Sequence, residues 1–245
     1  MESKGEIKMF ELHPSYVPYV ANQDLDSYAE KMLREFIPEL LKCPQTIDID
    51  DFSEFHLGLK VEYRRLTRDG RILGITMFSD GVIQSYNTLT GKLELSPVST
   101  GTVLIDTSLT NGENRTRRRF TLAHECSHWI LHRHVFATKK WNSEYMVSRT
   151  SQASSISRKD EENRRRMERQ ANYMAAALLM PISTLRMLFR EFCQGSGIQP
   201  RKLVRSMGDG GLAHAFVELV AERYQVSHIA ARIRLETLGA IGDNP

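Results

Sequence analysis

Two histidines and a glutamate near the middle of the chain have the types and spacing needed to bind and use a metal ion. Residues 120–131 contain His124, Glu125 and His128 in the pattern HExxH, with no proline or glycine to interrupt a helix. On a helix, residues four apart lie on one face with a rise of about 6 Å, so both imidazoles can converge on one ion. Glu125 projects about 100° from His124, where its carboxylate can act as general base on a metal-bound water. The pattern predicts zinc-dependent hydrolysis.

A catalytic zinc site of this type needs a third protein ligand and one open position. Glu168 is the favoured candidate, because its helical segment is otherwise apolar on the side that should face the core, and a nearby ion would give the carboxylate a partner. Helical spacing alone explains Glu168 equally well as a solvated residue among charged neighbours. His132 is disfavoured as a ligand, since it lies roughly 12 Å from His124 along the same helix.

Further residues are candidates for supporting roles. Asn172 follows Glu168 by one helical turn, where its side chain could accept a hydrogen bond from a ligand imidazole and orient it. Cys126 faces roughly 200° away from His124, which predicts a packed core residue. The sequence does not choose among the candidates for stabilising an oxyanion, which are Tyr145, Tyr173, His132 and the arginines Arg117, Arg118 and Arg119.

Three stretches of the chain carry a family resemblance. Residues 114–132 read NRTRRRFTLAHECSHWILH, residues 168–181 begin with Glu168-x-x-Ala-Asn and end with Met-Pro, and residues 221–239 follow the pattern AERYQVSxxAAxIRLxxLG. Together they resemble the ImmA/IrrE family of zinc metallopeptidases, and the last stretch resembles the helix-turn-helix-like tail of that family. The early helix and strands resemble its N-terminal layout more loosely, so the resemblance covers roughly residues 24–241.

The resemblance implies a gluzincin-like centre in which His124, His128 and Glu168 hold one Zn²⁺, Glu125 is the base and Asn172 supports a ligand. It also implies a cytoplasmic regulator that hydrolyses a specific intracellular protein, a transcriptional repressor. Two departures from the family concern the loop between the second histidine and the third ligand, which is longer than usual, and an insertion at residues 86–100. Substrate access and specificity are therefore not carried over.

The elements that must position these residues form an α+β fold, with a small N-terminal sheet packed on a mainly helical, zincin-like metallopeptidase core and a C-terminal helix-turn-helix-like subdomain. Hydrophobic periodicity predicts one helix over 24–41 that divides at Pro38, and Thr116 is the predicted N-cap of the helix that carries HExxH. The other predicted helices cover 49–57, 160–180, 181–192, 213–224 and 228–238. Alternation and β-branched residues predict strands at 59–63, 72–78 and 102–106, with a hairpin inserted at 86–100.

These elements suggest a division of the chain into four parts. Residues 1–23 are expected to form an arm over the surface, and residues 24–193 the metallopeptidase domain, with a mobile loop at 137–163 that has no apolar period. The glycine-rich residues 194–211 form a linker, and residues 212–245 the C-terminal subdomain.

Composition limits the classes of protein that remain. A length of 245 residues with 41% hydrophobic and 26% charged residues is typical of a folded globular protein, and a net charge of +3 is too small to indicate nucleic-acid binding. The longest apolar run, 173–180, is far shorter than the roughly 20 residues that span a bilayer. The absence of a signal-like N-terminus and the three scattered cysteines favour the reducing cytoplasm.

A different class of function is a DNA- or protein-binding transcriptional regulator or sensor, in which the zinc site is structural or catalytically degenerate. His228, Arg232 and Arg234 would lie on the second helix of the tail, where a helix-turn-helix reads DNA. A structural role for the tail is favoured, because this helix lacks a basic cluster at its start. Its apolar residues Ile229, Ala230, Ile233 and Leu235 predict a packed helix. A purely structural zinc site would have no need of Glu125.

Overall fold

A mixed sheet packed on a set of helices makes up the computed structural model, whose described residues are 17–137 and 158–244, together with the backbone of 145–147. This arrangement confirms the predicted α+β class. Residues 1–16 of the predicted arm and residues 138–144 and 148–157 of the predicted loop lie outside the described residues, as does the Tyr145 side chain. None of the helices in the described ranges has both the length and the apolar character that crossing a bilayer requires.

The helices and strands follow one another in a β-rich first half and a helical second half. The helices are α1 (Asn22–Phe36), α2 (Ile49–Asp51), α3 (Arg115–Ala137), α4 (Arg158–Leu179), α5 (Ile182–Gly195), α6 (Gly210–Tyr224) and α7 (His228–Thr237). The strands are β1 (Lys60–Arg64), β2 (Gly74–Met77), β3 (Gly81–Tyr86), β4 (Leu93–Val98), β5 (Thr102–Asp106), β6 (Tyr145–Val147), β7 (Leu203–Val204) and β8 (Ile241–Gly242).

The main sheet has the strand order β1-β5-β2-β6, in which β1 and β5 are parallel and the other pairs are antiparallel. Its central strands are buried on both faces. Ile75 and Met77 of β2 join an apolar cluster with residues of the β3–β4 hairpin, which covers one face of the sheet. Because side chains alternate along a strand, Gly74 and Thr76 point to the opposite face, against α3. The strand that runs over the HExxH helix therefore presents a glycine and a threonine to it.

Helix α3 lies at the centre of the molecule, between the sheet and α4. The main apolar core combines residues from both halves of the chain, including α6 and α7, so the C-terminal helices share the core of the rest of the chain. Its members include Leu25, Leu33, Val103, Ile105, Leu122, Cys126, Met174, Leu178, Phe216, Val220, Ala231 and Leu235. The full burial of Cys126 confirms the prediction that this residue packs in the core, and burial raises the pKa of its thiol.

Several sequence predictions agree with the structure. The helix predicted over 24–41 divides as expected: α1 ends at Phe36, Ile37 is extended, and a 3₁₀ turn begins at Pro38. Proline disfavours helical backbone at the residue before it, which explains the break. The short helix predicted at 49–57 is present as α2 followed by a π-helical turn, Phe52–His56.

Other predicted boundaries are wrong. Helix α3 begins at Arg115, directly after a 3₁₀ turn (Gly112–Asn114), so Thr116 lies inside the helix and is not its N-cap. The inserted hairpin starts at Gly81 rather than at residue 86. The predicted loop at 137–163 is shorter, because α4 already starts at Arg158 and Tyr145–Val147 pairs with β2.

The predicted linker and tail contain more structure than their glycines suggest. Residues 194–211 include β7, which is buried and pairs with β8, and the 3₁₀ turn Arg205–Met207. Helices α6 and α7 are joined by Gln225–Ser227: Gln225 adopts the left-handed conformation, and the Ser227 side chain accepts a hydrogen bond from the backbone of α7. The division into a separate helix-turn-helix-like subdomain stays a prediction.

The face of α7 that packs against the core differs from the face that the sequence predicts. Arg234, which would lie on the recognition helix in the disfavoured DNA-binding alternative, is 2% exposed, whereas Ile229 and Ile233, predicted to pack, are exposed. The guanidinium of Arg234 donates to the Asp26 carboxylate and to the carbonyl of Met180. The buried and exposed faces of the helix therefore differ from those predicted. The face that carries Ala231, Arg234 and Leu235 packs against the core.

We expect Arg234→Met to lower the free energy of unfolding by about 3–5 kcal/mol, because the buried Asp26 carboxylate would lose its charged partner. Urea unfolding followed by circular dichroism measures the change. The matched control is Arg232→Met on the exposed face of the same helix, where the ion pair with Glu236 is worth at most about 1 kcal/mol. Equal losses in the two variants would contradict the role of the buried pair.

Candidate metal centre

Two imidazoles of α3 and a carboxylate of α4 converge on one point. The Nε2 atoms of His124 and His128 are 3.0 Å apart, and each lies 3.4 Å from one carboxylate oxygen of Glu168. One ligand atom from each residue can be chosen so that all lie within 4.8 Å of one another. A tetrahedral zinc ion with bonds of about 2.0–2.1 Å separates its ligand atoms by about 3.3–3.4 Å. The spacing and the nitrogen and oxygen donors therefore fit Zn²⁺.

The charges at this point also suit a cation. Burial alone would raise the pKa of Glu168, but hydrogen bonding and charge from the two imidazoles hold it well below its ordinary value, so the side chain is a carboxylate. Burial lowers the pKa of His124, yet Glu168, Glu125 and the amide of Asn172 together raise it. Asn172 is exposed beside His124, which is compatible with its predicted supporting role.

A chain of buried polar side chains stands behind His128. Its Nδ1 lies 3.1 Å from Nδ1 of His132, whose Nε2 lies 3.0 Å from Oε1 of Gln170. Gln170 in turn donates from Nε2 to the carbonyl oxygen of Pro18 at 2.7 Å. This last bond orients the amide so that its oxygen faces His132.

The tautomers follow from this chain. His132 must donate from Nε2 to Gln170, and burial, with the nearby imidazole of His128, holds its pKa well below the usual range, so it is neutral. Its Nδ1 is then an acceptor, and His128 donates to it from Nδ1. In a neutral His128 with its proton on Nδ1, the lone pair is on Nε2, the atom that a metal ion would bind. His132 is thus bonded to a ligand imidazole rather than placed among the ligand atoms.

We expect Gln170→Met to raise the Kd for zinc by about 10–100-fold, because the His132–His128 pair would lose the acceptor that fixes its tautomers. Competition with a chromophoric chelator measures the Kd. Gln194→Met on the exposed face of α5 is the matched control and should bind zinc like the wild type. An unchanged Kd in folded Gln170→Met protein would contradict this reasoning.

Glu125 is completely buried and held from two sides by β2. The Thr76 hydroxyl donates to Oε2 of Glu125 at 2.6 Å. On the other side, the backbone of Gly74 passes so close that a Cβ there would lie 2.4 Å from Oε1 and 2.8 Å from Cγ and Cδ of Glu125. The Thr76 hydroxyl and the Gly74 backbone therefore fix the position of the carboxylate, which requires a glycine at residue 74.

Sequence reasoning missed Gly74, Thr76 and Gln170. A glycine inside a strand often marks a close approach of another group, so Gly74 within the predicted strand at 72–78 carried a usable signal. Thr76 and Gln170 carried none, because a threonine in a strand and a glutamine in a helix are ordinary in those positions.

A cleft of about 1050 Å³ lies beside the metal ligands, between α3, α4 and α7. Both His124 and Glu168 contribute to its wall. The other lining residues come mostly from the same three helices and include Arg117, Phe120, Arg169, Asn172, Tyr173, Ala176, Ile229, Ala230, Ile233 and Thr237. A cleft of this kind next to convergent polar groups is typical of a binding site.

The structure separates the candidates for oxyanion stabilisation. Tyr173 lines the cleft, but its hydroxyl donates to Asp26 at 2.7 Å, and burial together with this bond raises its pKa to about 12. Arg118 binds the carboxylate of Asp50, and Arg119 donates to the Thr46 hydroxyl and to a backbone carbonyl. Of these three arginines, Arg117 alone is among the cleft-lining residues described.

More than half of the chain is similar to a known protein family. A model of a peptidase family, described as the IrrE N-terminal-like domain, matches residues 100–236. The match begins just before β5 and ends near the C-terminus of α7, so it includes HExxH, Glu168 and most of the cleft-lining residues. Among curated proteins, no significant match was found.

Proposed function

The chain belongs to the peptidase family described as the IrrE N-terminal-like domain, and from this premise we propose that it is a zinc-dependent endopeptidase. The substrate we propose is a specific cytoplasmic protein, a transcriptional repressor. The observation that carries the proposal is the convergence of His124, His128 and Glu168 on one point beside an accessible cleft. A structural zinc site is closed by four protein ligands, whereas a catalytic one keeps a position open.

The residues present fit zinc. Three of them would bind the ion, and Glu125 would transfer protons. His124, His128 and Glu168 would hold the ion. Zinc in such sites polarises a carbonyl oxygen and lowers the pKa of water toward about 7. His132 and Gln170 would hold the His128 ring with its Nε2 directed at the ion.

Glu125 moves the protons. Its carboxylate would take a proton from the water whose oxygen attacks the scissile carbonyl carbon, and the hydrogen bond from Thr76 to Oε2 would keep the side chain in position. When the carbon–nitrogen bond breaks, Glu125 passes this proton to the leaving nitrogen. The products are a carboxyl group and an amine, and Glu125 returns to its starting charge.

The alternative of a DNA-reading tail receives little support from α7. Arg234 is buried against Asp26, and the exposed surface of the helix toward the cleft carries Ile229 and Ile233. Phosphate and base contacts are made by charged and polar side chains that reach the DNA.

The test combines metal content with turnover. The purified full-length protein, loaded with zinc, is incubated with repressor proteins encoded beside its gene and with a degenerate peptide library, and products are identified by mass spectrometry. We expect one equivalent of bound zinc, cleavage at defined bonds, loss of cleavage with a chelator and recovery with zinc but not with magnesium. Cleavage that continues in metal-free protein, or zinc binding without cleavage of any probe, would overturn the proposal.

A further inference from the structure

Two exposed isoleucines of α7 line the same cleft as the metal ligands. Ile229 and Ile233 are 64% and 53% exposed, and they lie one helical turn apart on the same face. Phe120 of α3 and Tyr173 and Ala176 of α4 contribute to the same cleft. Aliphatic side chains grouped in a cleft, rather than scattered singly on the surface, are typical of a binding site.

These isoleucines are not needed to anchor α7 to the rest of the chain. The helix is held from its other face, where Ala231 and Leu235 are buried in the main core and Arg234 pairs with Asp26. Because the anchoring face and the cleft face are separate, polar residues at 229 and 233 would leave the fold intact. The exposure of the two isoleucines is therefore unexplained by folding and requires a reason in binding.

The charges around the cleft complement an acidic partner. Arg117 and Arg169 line the cleft and are both exposed. Among residues 17–137 and 158–244, neither guanidinium forms an ion pair with a carboxylate; Arg169 instead stacks over the Tyr19 ring. The acidic residue that lines the cleft is Glu168, which is assigned to the metal.

We infer that Ile229 and Ile233 form a specificity subsite that receives a branched aliphatic side chain of the substrate polypeptide, while Arg117 and Arg169 receive carboxylates of the same segment. The occupant is thus a polypeptide with an aliphatic residue near acidic ones. The inference rests on the proposed peptidase function, because the subsite lines the same cleft as the metal ligands His124 and Glu168. A nucleic acid would leave the isoleucines without partners, since its backbone presents phosphates.

The test measures binding without turnover. Zinc-loaded full-length protein with Glu125→Gln is mixed with a degenerate peptide library, and the retained peptides are sequenced by mass spectrometry. The same measurement is made after adding Ile229→Ser and Ile233→Ser, and separately after adding Arg117→Gln and Arg169→Gln. The control adds Leu95→Ser, which changes an isoleucine-sized residue that is 72% exposed on the distant β4 strand.

We expect retained peptides to be enriched in isoleucine, leucine or valine together with aspartate or glutamate. Ile229→Ser with Ile233→Ser should remove the aliphatic enrichment and raise the Kd of the best peptide by about 10-fold or more. Arg117→Gln with Arg169→Gln should remove the acidic enrichment. The Leu95→Ser protein should behave like its parent. Unchanged aliphatic enrichment in the protein with Ile229→Ser and Ile233→Ser, or no retained peptides at all, would overturn the inference.

Separate readouts distinguish the failure of this inference from the failure of the proposed function. If peptides bind with the expected preferences but the protein that retains Glu125 cleaves none of them, the subsite would be supported. The proposed peptidase function would be refuted. If the wild type cleaves peptides and the protein with Ile229→Ser and Ile233→Ser keeps the same peptide-binding preferences, the subsite would be refuted. The proposed peptidase function would not be affected.

Discussion

Replacing Glu125 by glutamine is expected to lower kcat by about 10²–10⁴-fold, the range typical of the loss of a general base. Glutamine has the shape of glutamate, and its amide oxygen can still accept the Thr76 hydroxyl, so the packing of β2 on α3 is kept. The amide cannot take a proton from water at neutral pH. Because His124, His128 and Glu168 are unchanged, the variant should bind zinc with the stoichiometry of the wild type. Turnover of the best peptide and metal analysis measure the two effects.

The matched control for this change is Glu222→Gln, which removes an exposed carboxylate from α6. It should cleave and bind zinc like the wild type. If Glu125→Gln protein retained wild-type kcat with its zinc, another group would have to accept the proton, and the assignment of Glu125 would be wrong. If it lost zinc as well, the role of Glu125 would be in maintaining the metal site rather than in proton transfer.

The metal centre is the part of the molecule that the sequence predicts best. His124 and His128 share one helix, and helical geometry alone brings residues four apart to one face. The third ligand comes from another helix, so periodicity left Glu168 open and the family resemblance was needed to favour it. The structure brings all three together through the packing of α3 on α4.

The contacts that hold the centre in place could not be predicted, because they depend on how distant segments pack. The approach of Gly74 to Glu125 requires the register of β2 over α3, and the Gln170–Pro18 bond requires the N-terminal segment to lie on α4. Neither is encoded in a local pattern. The same limit explains α7, where an apolar spacing of i and i+4 predicted a packed face and Ile229 and Ile233 instead line a cleft.

The burial of Arg234 is the other feature of α7 that differs from what the sequence predicts. An arginine in an amphipathic helix is normally assigned to solvent, since buried charges are rare without a partner. Here Asp26 of α1 is that partner, and it also accepts the hydroxyl of Tyr173 in the cleft wall. The pair therefore joins α1, α4 and α7, which fixes one wall of the cleft relative to the metal ligands.

Replacing Gly74 by alanine is expected to reduce kcat by at least about 10²-fold, because the new methyl group would displace the Glu125 carboxylate, and a misplacement of about 1 Å can cost that much. The Cβ would lie 2.4 Å from Oε1 and 2.8 Å from Cγ and Cδ, so the whole end of the side chain must move. Glu125 is completely buried and bound to Thr76, so moving it disturbs its neighbours and should cost about 1–3 kcal/mol of folding stability. Zinc binding should persist, since the ligands are on the helices.

Gly112→Ala is the matched control, because no atom lies within 4 Å of a Cβ at that residue, and it should leave kcat and stability unchanged. A double-mutant cycle then separates an effect on Glu125 from a general loss of structure. If Gly74 acts through the carboxylate, Gly74→Ala should reduce kcat strongly in the wild-type background and hardly at all when Glu125 is already glutamine, since residues that act as a unit are not additive. Equal reductions in both backgrounds would show that the close approach of β2 to α3 serves folding rather than the position of the base.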